Sequence, residues 1–452
     1  MGAEQVVVSP GSGEPLKSKT YWIRTFGCQM NEHDSERLAG LLEAQGYRAT
    51  SGPEEADLVL FNTCAIRESA DKRLYGNLGR IKPIKQARPD LKVVVAGCLA
   101  EKDRGLIAEK APWIDVVLGT RNLEALPGLL GQAEAQGIPV VEFSEVLNVF
   151  PSALPARRGS TFHAWIAIQY GCNNSCTFCI VPSVRGTEVS RRIGDIIGEV
   201  QGVVATGVTE VTLLGQNVNS YGRDIYGTPR FADLLIALDD VPGLRRVRFT
   251  SPHPKDFREP VARAMATSSV VCEHLHLPVQ SGSNRILKAM KRSYDREKYL
   301  GKLEMARRII PNLAVTTDII VGFPGESEQD FEQTIDLVRQ AEFDASYTFQ
   351  FSPRPGTAAA DMRGQVPKPV VQERFDRLAE LQESISLRRN LAQVPGTYEV
   401  LVEGPAKKGE NRVSGRTRSN KLVHFDGHFE KGEFVDVRVT SAASHYLEGV
   451  TA

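Results

Sequence analysis

Three cysteines within eight residues form the most chemically loaded stretch of the chain, Gly171-Cys172-Asn173-Asn174-Ser175-Cys176-Thr177-Phe178-Cys179. Their spacing is C-x3-C-x2-C, and no fourth cysteine or histidine lies close enough in sequence to close a tetrahedral site. Structural zinc takes four protein ligands in a closed shell. Iron–sulfur cubanes are also held by thiolates, usually four of them. A tight group of three therefore predicts a 4Fe-4S cluster with one iron left open to an exogenous ligand. The competing meaning is half of a zinc ribbon whose partners lie far away. Ligand count favours the cluster.

A second set of thiols is dispersed. Cys28, Cys64 and Cys98 each fall two residues beyond a predicted strand: Thr20–Phe26, Asp57–Asn62 and Lys92–Ala96. Amphipathic helices such as Asp34–Gln45 and Lys102–Ala111 alternate with these strands, and a short strand follows at Val116–Leu118. Alternation of this kind implies an open parallel α/β sheet. The carboxyl ends of parallel strands share one edge, which is where such folds bind ligands. The thiols are thus expected to converge there on a second cluster with an open iron. Free cysteine also packs well in cores, but positions in loops argue against a purely structural trio. No Gly-rich phosphate loop occurs at these turns, so a flavodoxin-like topology here need not hold a nucleotide.

At 452 residues the chain exceeds a usual single core. It is 41% apolar and 24% charged with zero formal net charge, so nothing draws the whole molecule toward nucleic acid. No run of about 18 apolar residues is present to span a membrane. The first 18 residues, rich in Gly, Ser and Pro and without a signal-peptide pattern, are expected to be a disordered leader. Seven cysteines, an odd number without a secretion signal, point to metal or redox chemistry in the cytoplasm.

The expected domains are 19–150 around the first sheet, 155–391 around Cys172–Cys179, and 392–452. In the central one, strands at Phe162–Gln169, Glu210–Leu214, Val247–Thr250, His274–Leu277, Ala314–Val321 and Ser346–Phe351 alternate with helical segments and predict a partial (β/α)6 barrel. Chemistry in such barrels sits on the carboxyl-end loops. Cys272 is read as core packing within a strand. His274 and His276 share one strand face, where satisfied core histidines are commoner than histidines facing a cavity. The basic runs Arg245-Arg246-Val247-Arg248 and Lys288-Ala289-Met290-Lys291-Arg292 are more often solvated faces than RNA contacts. The tail shifts to short strands, Thr397–Glu403, Asn411–Gly415, Lys421–Phe425 and Phe434–Thr440, expected to form a small β-barrel. Lys407, Lys408, Arg412, Arg416, Arg418 and Lys421 make a local basic strip suited to an RNA backbone.

The cysteine motif with Phe178 before its last thiol resembles the radical S-adenosylmethionine (SAM) superfamily. Its continuation Ile180-Val181-Pro182-Ser183-Val184-Arg185-Gly186 resembles the methylthiotransferases within it. Cys28-Gln29-Met30-Asn31-Glu32-His33-Asp34-Ser35-Glu36 and Asn62-Thr63-Cys64-Ala65-Ile66-Arg67 are similar to that family's N-terminal domain, and Val413–Lys421 to its TRAM domain. Cys28-Gln29-Met30-Asn31 together with Arg185-Gly186-Thr187-Glu188-Val189-Ser190-Arg191 is most similar to members that modify isopentenyladenosine in tRNA. Members acting on threonylcarbamoyl-adenosine or on a ribosomal-protein aspartate are the alternatives, and across classes a non-catalytic iron–sulfur RNA-binding sensor. Ser183 stands where many tRNA-acting members carry tyrosine, and Ser327 where threonine is common.

The resemblance implies two 4Fe-4S clusters, on Cys28, Cys64 and Cys98 and on Cys172, Cys176 and Cys179, with SAM on the open iron of the second. It implies SAM contacts among Gln216, Asn217, Ser251, Gln280, Asp318 and Arg354, whose amide, carboxylate and guanidinium groups suit a zwitterion. One SAM would methylate a sulfide at the N-terminal cluster. A second would yield the 5′-deoxyadenosyl radical that takes hydrogen from carbon 2 of adenosine-37, and methylthio transfer would follow. The target base must leave its stack to be reached. The expected partners are tRNA carrying isopentenylated adenosine-37, an electron donor and a sulfur source, with the chain acting as a monomer. Cys176→Ala is expected to abolish reductive SAM cleavage yet leave the N-terminal cluster bound; product analysis alongside iron content checks this.

Overall fold

Runs of β-branched and aliphatic residues with no polar face can be buried on both sides only inside a parallel sheet covered by helices. The stretch Leu58–Thr63 is such a run, and every residue in it is buried. In the computed structural model, which describes residues 18–65, 68–144, 147, 149–409 and 411–452, it is the centre of a six-stranded parallel sheet. The expected leader lies outside the described residues apart from Ser18, as do Ile66 and Arg67 of the second cysteine motif. The strands are β1 (Thr20–Phe26), β2 (Arg48–Ala49), β3 (Leu58–Thr63), β4 (Lys92–Gly97), β5 (Val116–Leu118) and β6 (Val140–Glu142), in the order β2-β1-β3-β4-β5-β6. Phe61, Val93, Val95 and Val117 face the helix Glu68–Ala87 through Leu74 and Leu78. Leu58, Leu60, Val94 and Val116 face Leu38 and Leu42 of the helix Gln29–Ala44. The edge strands β2 and β6 escape sequence reading because they are two or three residues long and largely exposed, leaving no apolar run. Strand order reverses between β1 and β3, so a crevice opens where Cys28 and Cys64 emerge.

The central chain builds a partial barrel from β7 (His163–Ala167), β10 (Glu210–Leu214), β11 (Arg246–Phe249), β12 (His274–His276), β13 (Ala314–Val321) and β14 (Ala345–Gln350). These form two three-stranded parallel sheets, β7-β10-β11 and β12-β13-β14, joined by the bridge Val247–Val271. Cys272 sits beside that bridge rather than inside a strand, and is buried as core. The expected strand Phe162–Gln169 breaks after Ala167. Beyond the break, β8 (Gln169–Tyr170) pairs antiparallel with β9 (Val189–Ser190), a short clamp holding both ends of the Cys172–Cys179 loop. Ile166, Leu213, Val247, Leu275 and Val315 pack outward against Val200, Leu234, Leu303 and Val338 of the surrounding helices in one continuous core. Burial along β13 alternates, so Thr316, Asp318 and Ile320 face the barrel interior. Ser327 caps the helix Glu328–Ala341 in a reciprocal box with Asp330.

The tail closes into a five-stranded barrel of β15 (Thr397–Pro405), β16 (Arg412–Thr417), β17 (Leu422–Asp426), β18 (Phe434–Ala442) and β19 (Leu447–Thr451). Strand β19 was not legible beforehand: only Leu447 in it is buried, yet its parallel pairing with β17 completes closure. This small barrel docks beneath the amino-terminal ends of the central strands. Arg246 at the foot of β11, fully buried, donates to the Arg416 and Glu399 carbonyls at 2.8 and 2.9 Å. Arg248 donates to the Arg418 and Thr417 carbonyls, both at 2.9 Å. Among the described residues, no helix is long and apolar enough to cross a membrane. Arg246→Ala would leave two carbonyls at this seam without a donor, a loss of roughly 3 kcal/mol. A lower melting temperature and faster protease cleavage near Ala392 are the expected readouts.

Candidate active site at the facing strand ends

Two buried asparagines hold the first pair of N-terminal thiols. Asn31, in the first turn after Cys28, donates to Asn62 Oδ1 at 3.0 Å and to the Thr63 carbonyl at 3.3 Å. Asn62 returns a bond to the Asn31 carbonyl at 2.8 Å and reaches Ser35 Oγ at 2.9 Å. The Cys28 amide and thiol both lie 3.5 Å from Asn31 Oδ1. Gly27 admits the close approach of these loops: a Cβ there would stand 2.4 Å from Asn31 Oδ1 and 2.9 Å from the Cys64 Cβ. Gly97, at φ 96°, turns β4 into Cys98 where a Cβ would meet Asn62 Oδ1 at 2.3 Å. Sequence reading missed Asn31 and Asn62 as positioning groups, although both stood inside the cysteine motifs. Their pairing across the sheet became visible only in three dimensions.

The second trio is held as tightly. Gly171, at φ 75°, lies where a Cβ would stand 2.0 Å from the Thr187 carbonyl oxygen. The Cys172 amide donates to Gly186 O at 3.0 Å, and the Thr177 amide to Met290 O at 3.1 Å. Asn174 donates to Cys172 Sγ at 3.4 Å, and Arg292 Nη1 to Cys176 Sγ at 3.2 Å. Burial pushes the Cys179 thiol up to about 12 and raises those of Cys172 and Cys98. A thiol raised in this way binds metal as thiolate only by giving up its proton. Among the described residues no three His, Cys, Asp or Glu side chains are grouped around one metal ion. No disulfide joins any of the seven cysteines. Each thiolate of a cubane binds a different iron, a wider arrangement than the shell of a single ion.

The sheet's carboxyl edge is turned onto the barrel's carboxyl rim by buried polar groups. Asp34 pairs with Arg185 at 2.8 Å and accepts from the Tyr170 hydroxyl. The Arg185 charge, with His33 and the Tyr170 hydroxyl beside it, holds the Asp34 carboxyl below its ordinary range despite burial. Arg37 pairs with Glu199, which also takes Arg191 at 2.6 Å and Arg158 at 3.2 Å. Thr120 donates to the Val184 carbonyl at 2.6 Å.

Between the two edges lies a cavity of about 710 Å³. Cys28 and Cys64 line it from one side and Phe178, from the second cysteine loop, from the other. Cys98, Cys172, Cys176 and Cys179 do not line it. Ser251, Gln280, Asp318 and Arg354 of the expected SAM set line it; Gln216 and Asn217 do not. Asn217 is instead fully engaged at the rim, donating to Asp256 at 2.8 Å and accepting from the His253 amide at 3.3 Å. Gln216 carries a buried amide oxygen with no partner. Ser251 and Gln280 both hold left-handed backbone, φ 58° and 70°. Strain of this kind concentrates at functional sites. The half-buried Arg354 guanidinium makes no hydrogen bond or ion pair among the described residues and stands at the cavity wall, while the Arg354 carbonyl accepts from Thr357.

His274 and His276 line the cavity rather than the core, sharing Thr316 Oγ1 at 3.2 and 3.0 Å, and His276 lies 3.5 Å from Asp318. The basic tail strip is not free as expected. Arg418 binds Glu273 at 2.8 Å and Lys421 binds Asp344 at 2.7 Å, tying the tail to the barrel floor, where neighbouring Asn420 reaches the cavity. Arg416 pairs with Glu403 at 3.1 Å and Arg412 with Glu448 at 2.8 Å. Lys407 and Lys408 are left exposed. Of the basic runs, Arg246, Arg248 and Arg292 are internal struts, not a solvated face.

The barrel and its rim of thiols define the class, and the chain matches three family models in succession. These are uncharacterized protein family UPF0004 over residues 20–119, the radical SAM superfamily over 166–338 and the TRAM domain over 392–451. The chain is thus a radical SAM protein flanked by a parallel-sheet domain and a TRAM barrel. It is 55% identical to the tRNA-2-methylthio-N(6)-dimethylallyladenosine synthase of Mycobacterium ulcerans (strain Agy99), covering 96% of this chain and 84% of the relative. It is 56% identical to the protein of that name from Acidothermus cellulolyticus, covering 97% and 90%. The chain belongs to the tRNA-2-methylthio-N(6)-dimethylallyladenosine synthase family. Among solved structures, the radical SAM methyltransferase TsrM from Kitasatospora setae, with cobalamin and a 4Fe-4S cluster bound, superposes with a TM-score of 0.56 at 14% identity, covering 76% of this chain and 74% of TsrM. The cobalamin-dependent radical enzyme OxsB in its apo form gives 0.52 at 12%, covering 81% and 56%. At such identities the likeness is one of fold.

Ser251→Gly is expected to relieve the left-handed strain and raise stability by about 1 kcal/mol, while removing a cavity hydroxyl. Ser251→Ala keeps the strain and loses the same hydroxyl. Melting curves with and without SAM separate the two: only the glycine variant should melt higher, and both should gain less from SAM than the parent.

Proposed function

We propose that the chain installs a methylthio group at carbon 2 of N6-isopentenyladenosine at position 37 of tRNA. One observation carries the reading: a single cavity is walled by Cys28 and Cys64 from the N-terminal trio and by Phe178 from the loop of the second. Cys28, Cys64 and Cys98 would hold one 4Fe-4S cluster, and Cys172, Cys176 and Cys179 the other. The donor sets fit, being three thiols apiece, with Cys28 and the Cys172–Cys179 loop held by backbone and amide hydrogen bonds and Cys98 opening the helix Cys98–Asp103. Bound there with SAM, the clusters supply sulfur chemistry on one side and one-electron reductive chemistry on the other, able to act on an unactivated C–H bond.

The chain's own residues bind, orient and exclude. Arg354 offers the SAM carboxylate an unengaged guanidinium, and Asp318 offers its ammonium a carboxylate at the cavity wall. Gln280 and Ser251, set in left-handed turns, present their side chains from fixed backbone, and the partnerless amide oxygen of Gln216 is a further acceptor at the rim. Asn217 supports the rim through Asp256 rather than by direct contact. Phe178, Ile320, Phe349 and Phe351 make much of the cavity wall apolar, which keeps water from the reacting carbon and gives an unstacked base a surface to rest on. Lys407 and Lys408 are the part of the tail strip available to tRNA phosphate, while Arg412, Arg416, Arg418 and Lys421 serve the fold first.

The protein acts as a cytoplasmic monomer that draws electrons and replacement sulfur from separate partners. Anaerobically reconstituted protein incubated with an isopentenylated anticodon stem–loop, SAM and reductant should yield the 2-methylthio nucleoside, identified by mass spectrometry. An unmodified stem–loop, with a mass change instead on threonylcarbamoyl-adenosine or ribosomal protein, would redirect the substrate assignment.

A further inference from the structure

We infer that Arg185, which the barrel supplies, is a positioning residue for the N-terminal thiol trio, turning its guanidinium on Cys98 and raising the electron affinity of the cluster held there. The inference rests on the reading of that trio as a cluster site. Arg185 lies six residues beyond Cys179 in sequence, yet in space it belongs to the other trio. The preceding residue, Val184, packs with Ile180, Ala65 and Cys98 in one small buried cluster. Thr120, at the end of β5, donates to the Val184 carbonyl and fixes that turn against the sheet edge. Arg185 itself is 4% exposed. Its guanidinium stacks on the Tyr170 ring at 5.2 Å and meets Asp34 at 2.8 Å.

That ion pair does not satisfy the guanidinium. Nη1 and Nη2 are buried without an aligned hydrogen-bond acceptor, an arrangement costly enough to need a reason. The next groups on which the Arg185 charge acts, after Asp34, are the sulfur of Cys98 and then, past Tyr170, that of Cys28. Thiolate or sulfide at this place would accept the orphaned N–H groups. The other trio has a counterpart whose bond is complete: Arg292, from outside the cysteine loop, donates to Cys176 Sγ at 3.2 Å. Each trio thus receives one guanidinium from a distant segment.

A donor and positive charge beside a cluster sulfur favour the reduced, more negative state. Asp34 is the opposing charge. Docking alone and electrostatic tuning therefore make different predictions for the two partners of one ion pair. A docking contact is broken equally by either substitution; a tuning contact is moved in opposite directions.

The test is an EPR-monitored redox titration of the full chain carrying Cys172→Ala, Cys176→Ala and Cys179→Ala, so that only the N-terminal cluster reports. Arg185→Gln should move its midpoint potential more negative, and Asp34→Asn more positive, with iron content near that of the parent. Shifts in the same direction, or no shift in either, overturn the inference. Should Arg185→Gln not accumulate as folded protein, Arg185→Lys replaces it, keeping the charge but losing the forked donor. A downward shift with Lys beside an upward one with Asn supports the inference, and any other pattern overturns it. A parent that assembles no cluster at Cys28, Cys64 and Cys98 overturns the cluster reading as well, whereas a cluster indifferent to both substitutions removes the inference alone.

Discussion

The structure depends on one buried contact, the pairing of Asp34 with Arg185 under the Tyr170 hydroxyl. Asp34 stands on the helix that begins at Cys28, and Arg185 on the turn that follows Cys179. The pair therefore locks the carboxyl edge of the sheet to the carboxyl rim of the barrel. Breaking one side of a buried pair leaves an uncompensated charge, a loss of several kcal/mol. That penalty makes the contact an efficient register mark: the two edges either meet with Asp34 opposite Arg185 or bury charge unpaired. The arginines around Glu199 extend the same logic along the first helix.

Two parallel β architectures each present their ligand-binding edge, and neither edge is complete alone. The switch point between β1 and β3 would be a shallow crevice, and the barrel rim an open mouth. Face to face, they enclose a chamber large enough for a cofactor and a base. The tail barrel completes the enclosure from below. Its segment Arg418–Lys421 is held by Arg248, Glu273 and Asp344, so a module that resembles an RNA-binding domain also contributes Asn420 to the cavity. Substitutions in the tail are therefore expected to act on chemistry as well as on RNA affinity.

Strain and steric exclusion show where geometry is most demanding. Gly97 and Gly171 occupy left-handed backbone where a side chain would strike main-chain or amide atoms. Ser251 and Gln280, at the cavity wall, adopt such backbone without being glycine. Ser327 shows the opposite case: in ordinary extended backbone, its hydroxyl caps the helix Glu328–Ala341.

By itself the sequence determined the order of the modules and most of the strands, and it singled out six cysteines as candidate ligands, because thiol spacing and apolar runs are local signals. Leu58–Thr63 and Ala314–Val321 carry the apolar and β-branched pattern of strands in layered folds, and C-x3-C-x2-C favours an open cluster over a closed four-ligand site. Only tertiary structure decided what the polar residues do. Asn31 and Asn62, Asp34 and Arg185, or Lys421 and Asp344 are far apart along the chain, and composition contains no trace of which will meet. The same holds for His274 and His276, which periodicity placed on one face without saying whether that face was core or chamber. A charge read from sequence is only a capacity to bind; the partner that folding brings within about 3 Å determines whether it is an RNA contact or a strut.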